Sequence, residues 1–267
     1  MRLIFRNMMR AIFSLFGLSV RFAKNEVKLK RLESRRRWEK QWEFLGDYPV
    51  DTVLDIGANE GQFAQLIHGY LPYARIISFE PIADCFEKLQ AVLKTIPGSK
   101  GYNMALGNTR EEKLFFRSEF SPSSSLLEMS QEHKKSFPYT ANHTEETIQV
   151  IPLDSLAGEI DLRGNVLVKI DVQGFEQMVL EGGRETIANS RYLLIEMSCY
   201  ELYVGEPLFD VVYRMVTDLG FVYRGNIDQM RNTDDGRILS VDAFFEKIDV
   251  SRKYDVGSQV IVNGNNP

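Results

Sequence analysis

Four carboxylates stand at the tips of short apolar runs. Asp55 follows Val53-Leu54, Glu80 follows Ile76-Ile77-Ser78-Phe79, Asp171 follows Val166-Leu167-Val168-Lys169-Ile170, and Glu196 follows Leu193-Leu194-Ile195. Two glycines, Gly57 and Gly61, frame Ala58-Asn59-Glu60 just beyond the first of them. Acidic groups in such places can hold a cation, accept hydrogen bonds from hydroxyls, or take a proton from a reacting hydroxyl. Gln62-Phe63-Ala64-Gln65-Leu66-Ile67 follows with helical character. A strand, a glycine turn and a helix open a nucleotide-binding α/β unit.

The turn discriminates among nucleotides. A dinucleotide fingerprint needs G-x-G-x-x-G, so that backbone N–H groups can crowd a pyrophosphate. Here Asn59 separates the glycines and no G-x-G is present. Asn59 tolerates the left-handed backbone that such a turn requires, and glycine at 57 and 61 lets the backbone approach a ligand. Asp55 would repel a diphosphate and attract the cationic amino group and sulfonium of S-adenosylmethionine. Glu80 is placed to accept hydrogen bonds from both ribose hydroxyls. Asn103 and Ala105 fall where a third strand end should meet the adenine.

Methyl transfer to a hydroxyl needs alignment and a place for the proton to go. Asp171 is the first candidate for the general base and Glu196 the second; a helix cap is the competing role for Asp171. Together the two carboxylates could instead hold magnesium or calcium, whose ligands are oxygens. His133 and His143 lie at no metal-ligand spacing, so no metal ligand is assigned.

The elements that must position these groups read as follows. Strands are predicted at 53–56, 75–79, 101–107, 112–117, 147–151, 166–170, 191–195, 221–224 and 240–245. Helices are predicted from 62, over 84–95, from 172 to a stop at Gly182-Gly183, and over 211–219. This alternation predicts an α/β fold, a Rossmann-like, mostly parallel seven-stranded sheet with an antiparallel edge hairpin and helices on both faces. The polar segment 118–146 interrupts it, either as a lid contributing to an acceptor site or as a disordered insertion. The domain is placed at 46–250, preceded by a basic helical arm over 1–45 and followed by a tail over 251–267.

Charge separates the arm from the body. Residues 1–40 carry twelve Lys or Arg against three acidic residues, whereas the whole chain of 267 residues has net charge −5. The acidic body argues against a nucleic-acid surface. Arg2, Arg6 and Arg10 recur every four residues among apolar ones. Two readings stand side by side: an amphipathic helix on an anionic membrane, and a helix docked on the body or on a second copy. Cys85 and Cys199 form no disulfide framework, which fits a reducing compartment. The expected location is cytoplasmic, or peripheral at the inner face of a membrane.

Several blocks resemble the FkbM family of S-adenosylmethionine-dependent methyltransferases. They are Val53-Leu54-Asp55-Ile56-Gly57-Ala58-Asn59-Glu60-Gly61, Phe79-Glu80-Pro81, Asn103-Met104-Ala105-Leu106-Gly107, Leu153-Asp154-Ser155-Leu156, Lys169-Ile170-Asp171-Val172-Gln173-Gly174-Phe175-Glu176 and Ile195-Glu196. The resemblance implies a class I methyltransferase fold over about residues 50–245, with O-methylation of a sugar, glycan or related natural product. It implies Asp55, Gly57, Asn59 and Gly61 at the methionine end, Glu80 at the ribose, Asn103 and Ala105 at the adenine, and Asp171 facing the methyl group and acceptor. The family pattern has Asp-Val-Glu-Gly where this chain has Asp171-Val172-Gln173-Gly174. Two competing readings are an NAD-linked oxidoreductase and a non-catalytic binding protein on the same fold.

Overall fold

The computed structural model describes Arg36 and residues 39–247. The chain divides into two units, residues 1–44 and 45–267. The expected amphipathic arm and the tail over 251–267 lie outside the described residues, apart from Arg36 and the end of the arm. No helix among the described residues is long and apolar enough to cross a membrane.

The second unit is built on a seven-stranded sheet. Its strands are β1 (Thr52–Ile56), β2 (Arg75–Phe79), β3 (Lys100–Tyr102), β7 (Val166–Ile170), β8 (Tyr192–Ser198), β9 (Phe221–Arg231) and β10 (Ile238–Lys247). They lie in the order β3-β2-β1-β7-β8-β10-β9. The first five run parallel, and β10 pairs antiparallel with both β8 and β9. The chain moves outward from β1 to β3, then returns beside β1 as β7 and moves outward the other way. A crevice therefore opens at the carboxyl ends of β1 and β7, where sheets of this class bind ligands.

Side chains alternate across a strand, and the sheet uses the alternation. Leu54, Ile56, Val168, Ile170, Leu193, Ile195, Ala243 and Phe245 belong to one buried core. The intervening positions Asp55, Lys169, Glu196 and Asp242 fall on the opposite face. Register places Asp55 beside Ser78 and Lys169, and Glu196 beside Asp242. A polar seam thus runs through the second face of the sheet at its carboxyl end.

Two expectations change. The predicted strand over 101–107 is two elements: β3 ends at Tyr102, and β4 (Ala105–Leu106) joins a separate sheet. Asn103 forms the elbow, its amide donating to the carbonyls of Glu80 and Pro81 at 2.9 and 2.8 Å. The second sheet has the order β4-β6-β5, with β5 spanning Glu111–Ser118 and β6 spanning His143–Ile151. The helix Glu176–Gly182 stops at Gly182-Gly183 as expected, and a second helix, Arg184–Ala188, begins directly after it; a Cβ at Gly182 would lie 1.8 Å from the Gly107 carbonyl oxygen. Glu196, expected at a strand tip, lies inside β8, which continues to Ser198.

The segment 118–146 carries structure of its own: 3-10 turns at Ser121–Ser123 and Pro138–Thr140, a helix at Gln131–Ser136, and the first half of β6. Ser130 caps that helix by accepting from the His133 N–H. The disordered alternative does not describe it.

Candidate active site

The glycine turn is shaped by what packs behind it. Gly57 has φ +79°, and a Cβ there would lie 1.9 Å from the carbonyl oxygen of Asp171. Only glycine fits both the backbone angle and the approach. The N–H groups of Gly57 and Ala58 donate to the Phe79 carbonyl at 3.1 and 3.0 Å, tying the turn to the exit of β2. Asn59 takes φ +47°, and its N–H donates to Glu80 Oε2 at 2.8 Å. Glu80 Oε1 accepts from the Ile82 N–H at 2.8 Å. Each carboxylate oxygen keeps a free lone pair, so Glu80 is oriented without being used up. Burial pushes its carboxyl up to about 7 against these two backbone donors.

Lys169 organises the polar seam. Its Nζ lies 3.5 Å from Asp55 Oδ1 and 3.4 Å from Asp171 Oδ2, and donates to the Gly57 carbonyl at 3.1 Å. Burial alone would pull the ammonium down; Asp171, Asp55 and Asp242 outweigh it and hold it above its ordinary value. Asp55 has no exposed surface. Among the described residues neither of its oxygens makes a hydrogen bond, nor does Ser78 Oγ beside it. Burial pushes the Asp55 carboxyl up, with Lys169 opposing. Asp55 therefore serves as the buried counter-charge to Lys169 at the foot of the glycine turn.

Asp171 and Glu196 meet through an amide. Gln173 Nε2 donates to Asp171 Oδ1 at 2.7 Å and to Glu196 Oε2 at 2.9 Å. Ser240 Oγ donates to Glu196 Oε1 at 2.8 Å. Burial, reinforced by Asp171 and Asp242, raises Glu196 well above its ordinary value. A divalent ion bridging the two carboxylates would have to sit where the amide nitrogen sits. The residues present do not fit that expectation.

The 118–146 segment reaches the same rim. Ser121 Oγ donates to Asn59 Oδ1 at 3.1 Å, and Ser125 Oγ donates to the Gln173 carbonyl at 2.6 Å. The Tyr203 hydroxyl lies 2.8 Å from Gln173 Oε1 and 3.2 Å from the Ser123 carbonyl. Residues 121–125 thus form a strap across the loops that follow β1, β7 and β8. Beside it, a cleft of about 370 Å³ is lined by residues that include Glu60, Asp84, Lys88, Arg117 and His143.

The structure gathers Asp55, Gly57, Asp171 and Glu196 around Lys169 and Gln173, while Glu80, Asn59 and Asn103 form a second group at the exit of β2. Gly61 holds φ +89° at the head of the helix Gln62–Tyr70, and Ala105 is buried. Sequence reasoning passed over Lys169 and Asp242 as functional groups. Lys169 carried a signal: a lone ammonium in an apolar run facing a buried layer must be paired. Asp242 carried none, because its partners come from distant segments.

Several carboxyls here are raised, and the sign of the consequence follows. Burial lifts Glu176 to about 8 and Asp242 to about 7, with Glu80 also at about 7. A raised folded-state value stabilises the fold below the unfolded value, and that contribution is lost as pH climbs through the folded one. Stability should therefore fall between pH 5 and 8.5, by an amount on the order of a few kcal/mol. Melting temperatures at the two ends of that range check this; a higher value at pH 8.5 contradicts it.

Comparisons with known proteins bear on the family. The profile of the methyltransferase FkbM domain matches residues 55–223. The 2-O-methyltransferase NoeI of Sinorhizobium fredii (strain NBRC 101917 / NGR234) is 24% identical over 203 residues, covering 72% of this chain and 82% of that protein. The AMB antimetabolite synthetase AmbE of Pseudomonas aeruginosa is 29% identical over 178 residues, which is 56% of this chain and only 8% of AmbE. Among solved structures, a fibrillarin/Nop5p complex aligns with TM-score 0.45 and 12% identity over 79% of this chain and 83% of the other. Aeropyrum pernix fibrillarin with bound S-adenosyl-L-methionine aligns with TM-score 0.40 and 12% identity over 72% and 66%. The fold assignment rests on strand order and register. With the glycine turn, the two strand-tip carboxylates and the profile match in agreement, this chain belongs to the FkbM family of S-adenosylmethionine-dependent methyltransferases.

Proposed function

We propose that this protein transfers a methyl group from S-adenosylmethionine to a hydroxyl of a sugar, glycan or related natural product. The observation that carries the reading is the meeting of Asp171 with the glycine turn: the residue that would receive the acceptor proton packs directly on the turn that would hold the donor. The likeness to NoeI supports oxygen as the methylated atom and a hydroxyl compound as the acceptor class.

In this reading Asp55, Gly57, Asn59 and Gly61 hold the methionine end, Glu80 receives the ribose hydroxyls, and Asn103 and Ala105 border the adenine. When bound, S-adenosylmethionine supplies an electrophilic methyl carbon and a neutral thioether leaving group. Asp171 has a side chain 38% exposed, so an acceptor can reach it. It takes the hydroxyl proton as the oxygen attacks. Glu196 has both oxygens engaged and lies deeper; it supports Asp171 rather than replacing it.

Calorimetry with S-adenosylmethionine and NAD separates the readings. Binding of the first alone is expected; binding of NAD selects an oxidoreductase, and binding of neither selects a non-catalytic role. Glu80→Ala should weaken S-adenosylmethionine about ten- to a hundredfold, the loss of hydrogen bonds to a charged group. An unchanged affinity removes Glu80 from the ribose. Nucleotide sugars, glycans and lipid-linked saccharides, screened with labelled cofactor, identify the acceptor.

A further inference from the structure

One residue ties Asp171, Glu196, Tyr203 and the strap together. Gln173 follows Asp171 by two residues and holds φ +55°, a backbone angle uncommon for any residue with a side chain. Its Nε2 donates to Asp171 Oδ1 and to Glu196 Oε2, its Oε1 accepts from the Tyr203 hydroxyl, and its backbone carbonyl accepts from Ser125 Oγ. Only one orientation of the amide satisfies these partners, since turning it over would set Oε1 against two carboxylates.

Both carboxylates are held on one nitrogen, and Glu196 is deeply buried, so an N–H directed at it favours its charged form and the shared donor fixes the spacing of the pair. The donor cannot be exchanged for solvent cheaply, because Tyr203 is buried and holds the far end of the amide.

We propose that Gln173 is a positioning residue: by donating to both Asp171 and Glu196 it sets their separation and keeps the pair ready to accept a single proton. The inference rests on the methyl-transfer reading for the source of that proton, an acceptor hydroxyl whose O–H bond breaks as its oxygen bonds to the methyl carbon. Gln173 itself touches neither partner in the reaction. It acts through Asp171, and the strap and Tyr203 act through it. A strap that is not seated frees the Gln173 carbonyl, and with it the loop that carries the amide.

The test needs no acceptor. The full chain, labelled with carbon-13, is titrated while the carboxyl carbons of Asp and Glu are followed by NMR. Asp171→Asn and Glu196→Gln assign the two signals. Gln173→Met keeps the length and removes the donors; the midpoints of the pair should rise by about one to two pH units, the scale of a lost hydrogen bond to a charged group. Gln173→Glu keeps the shape and adds a third carboxylate; the midpoints should rise further, with one more proton bound near neutral pH. Circular dichroism checks that each variant is folded. A folded methionine variant with unmoved midpoints overturns the proposal. Should that variant not fold, unmoved midpoints in the glutamate variant overturn it equally. Failure of the wild type to bind S-adenosylmethionine would instead remove the methyl-transfer reading and leave this titration standing.

Discussion

Lys169→Met should destabilise the fold by about 3–5 kcal/mol at neutral pH, the cost of removing one partner from a buried ion pair. The ammonium serves Asp55, Asp171 and the Gly57 carbonyl at once. Methionine fills much of its volume and none of its charge. Asp55 would be left buried, with no hydrogen bond of its own among the described residues. Two features make the expectation specific. The loss should shrink toward pH 5, because a protonated Asp55 no longer needs the cation. Pairing the change with Asp55→Asn should restore much of the stability, since deleting both charges leaves no orphan. Denaturant unfolding of the two single variants and the double variant measures the coupling. Simple additivity would show that Lys169 and Asp55 do not depend on each other.

Asp171→Asn should lower turnover by about 10²–10⁴-fold, the range that a general base contributes. The substitution keeps the shape of the side chain, and Asn Oδ1 can still accept from Gln173 Nε2. The backbone carbonyl behind Gly57 is untouched. Affinity for S-adenosylmethionine should therefore be little changed while methyl transfer collapses. Single-turnover rates on the acceptor found by screening, beside calorimetry of the cofactor, make the comparison. Unchanged turnover would take Asp171 out of the chemistry and leave it as a support for the glycine turn.

The sheet was largely legible in the chain because its signals are local. Short apolar runs ending in Asp55, Glu80 and Asp171 announce strand tips, and a glycine turn following one of them announces the crevice. The break at Asn103-Met104 was invisible, because it depends on β6 offering a second sheet to Ala105–Leu106. The helix stop at Gly182-Gly183 was legible, whereas the close approach of the Gly107 carbonyl, which leaves no room for a Cβ at 182, was not. The polar seam was half legible. Acidic residues at strand tips can be located by pattern, whereas the groups between them cannot. Gln173 reads as a loop residue until β8, β10 and the loop around Tyr203 are in place beside it. The order within 118–146 was hidden for the same reason: serines that resemble a flexible tract are held by acceptors on two other loops and by the Tyr203 hydroxyl, a donor, on a third.

The seam also sets when the protein becomes competent during its own formation. Lys169 and the Gly57 carbonyl are 112 positions apart along the chain, and the edge they share is the pairing of β1 with β7. Closing so large a loop is entropically costly, and parallel pairings of this span form slowly. The turn and its helix can form early from local contacts, but the charge on Asp55 has no counterion until β7 docks. The polar seam is therefore complete only once the β1–β7 pairing has closed and Lys169 stands beside Asp55.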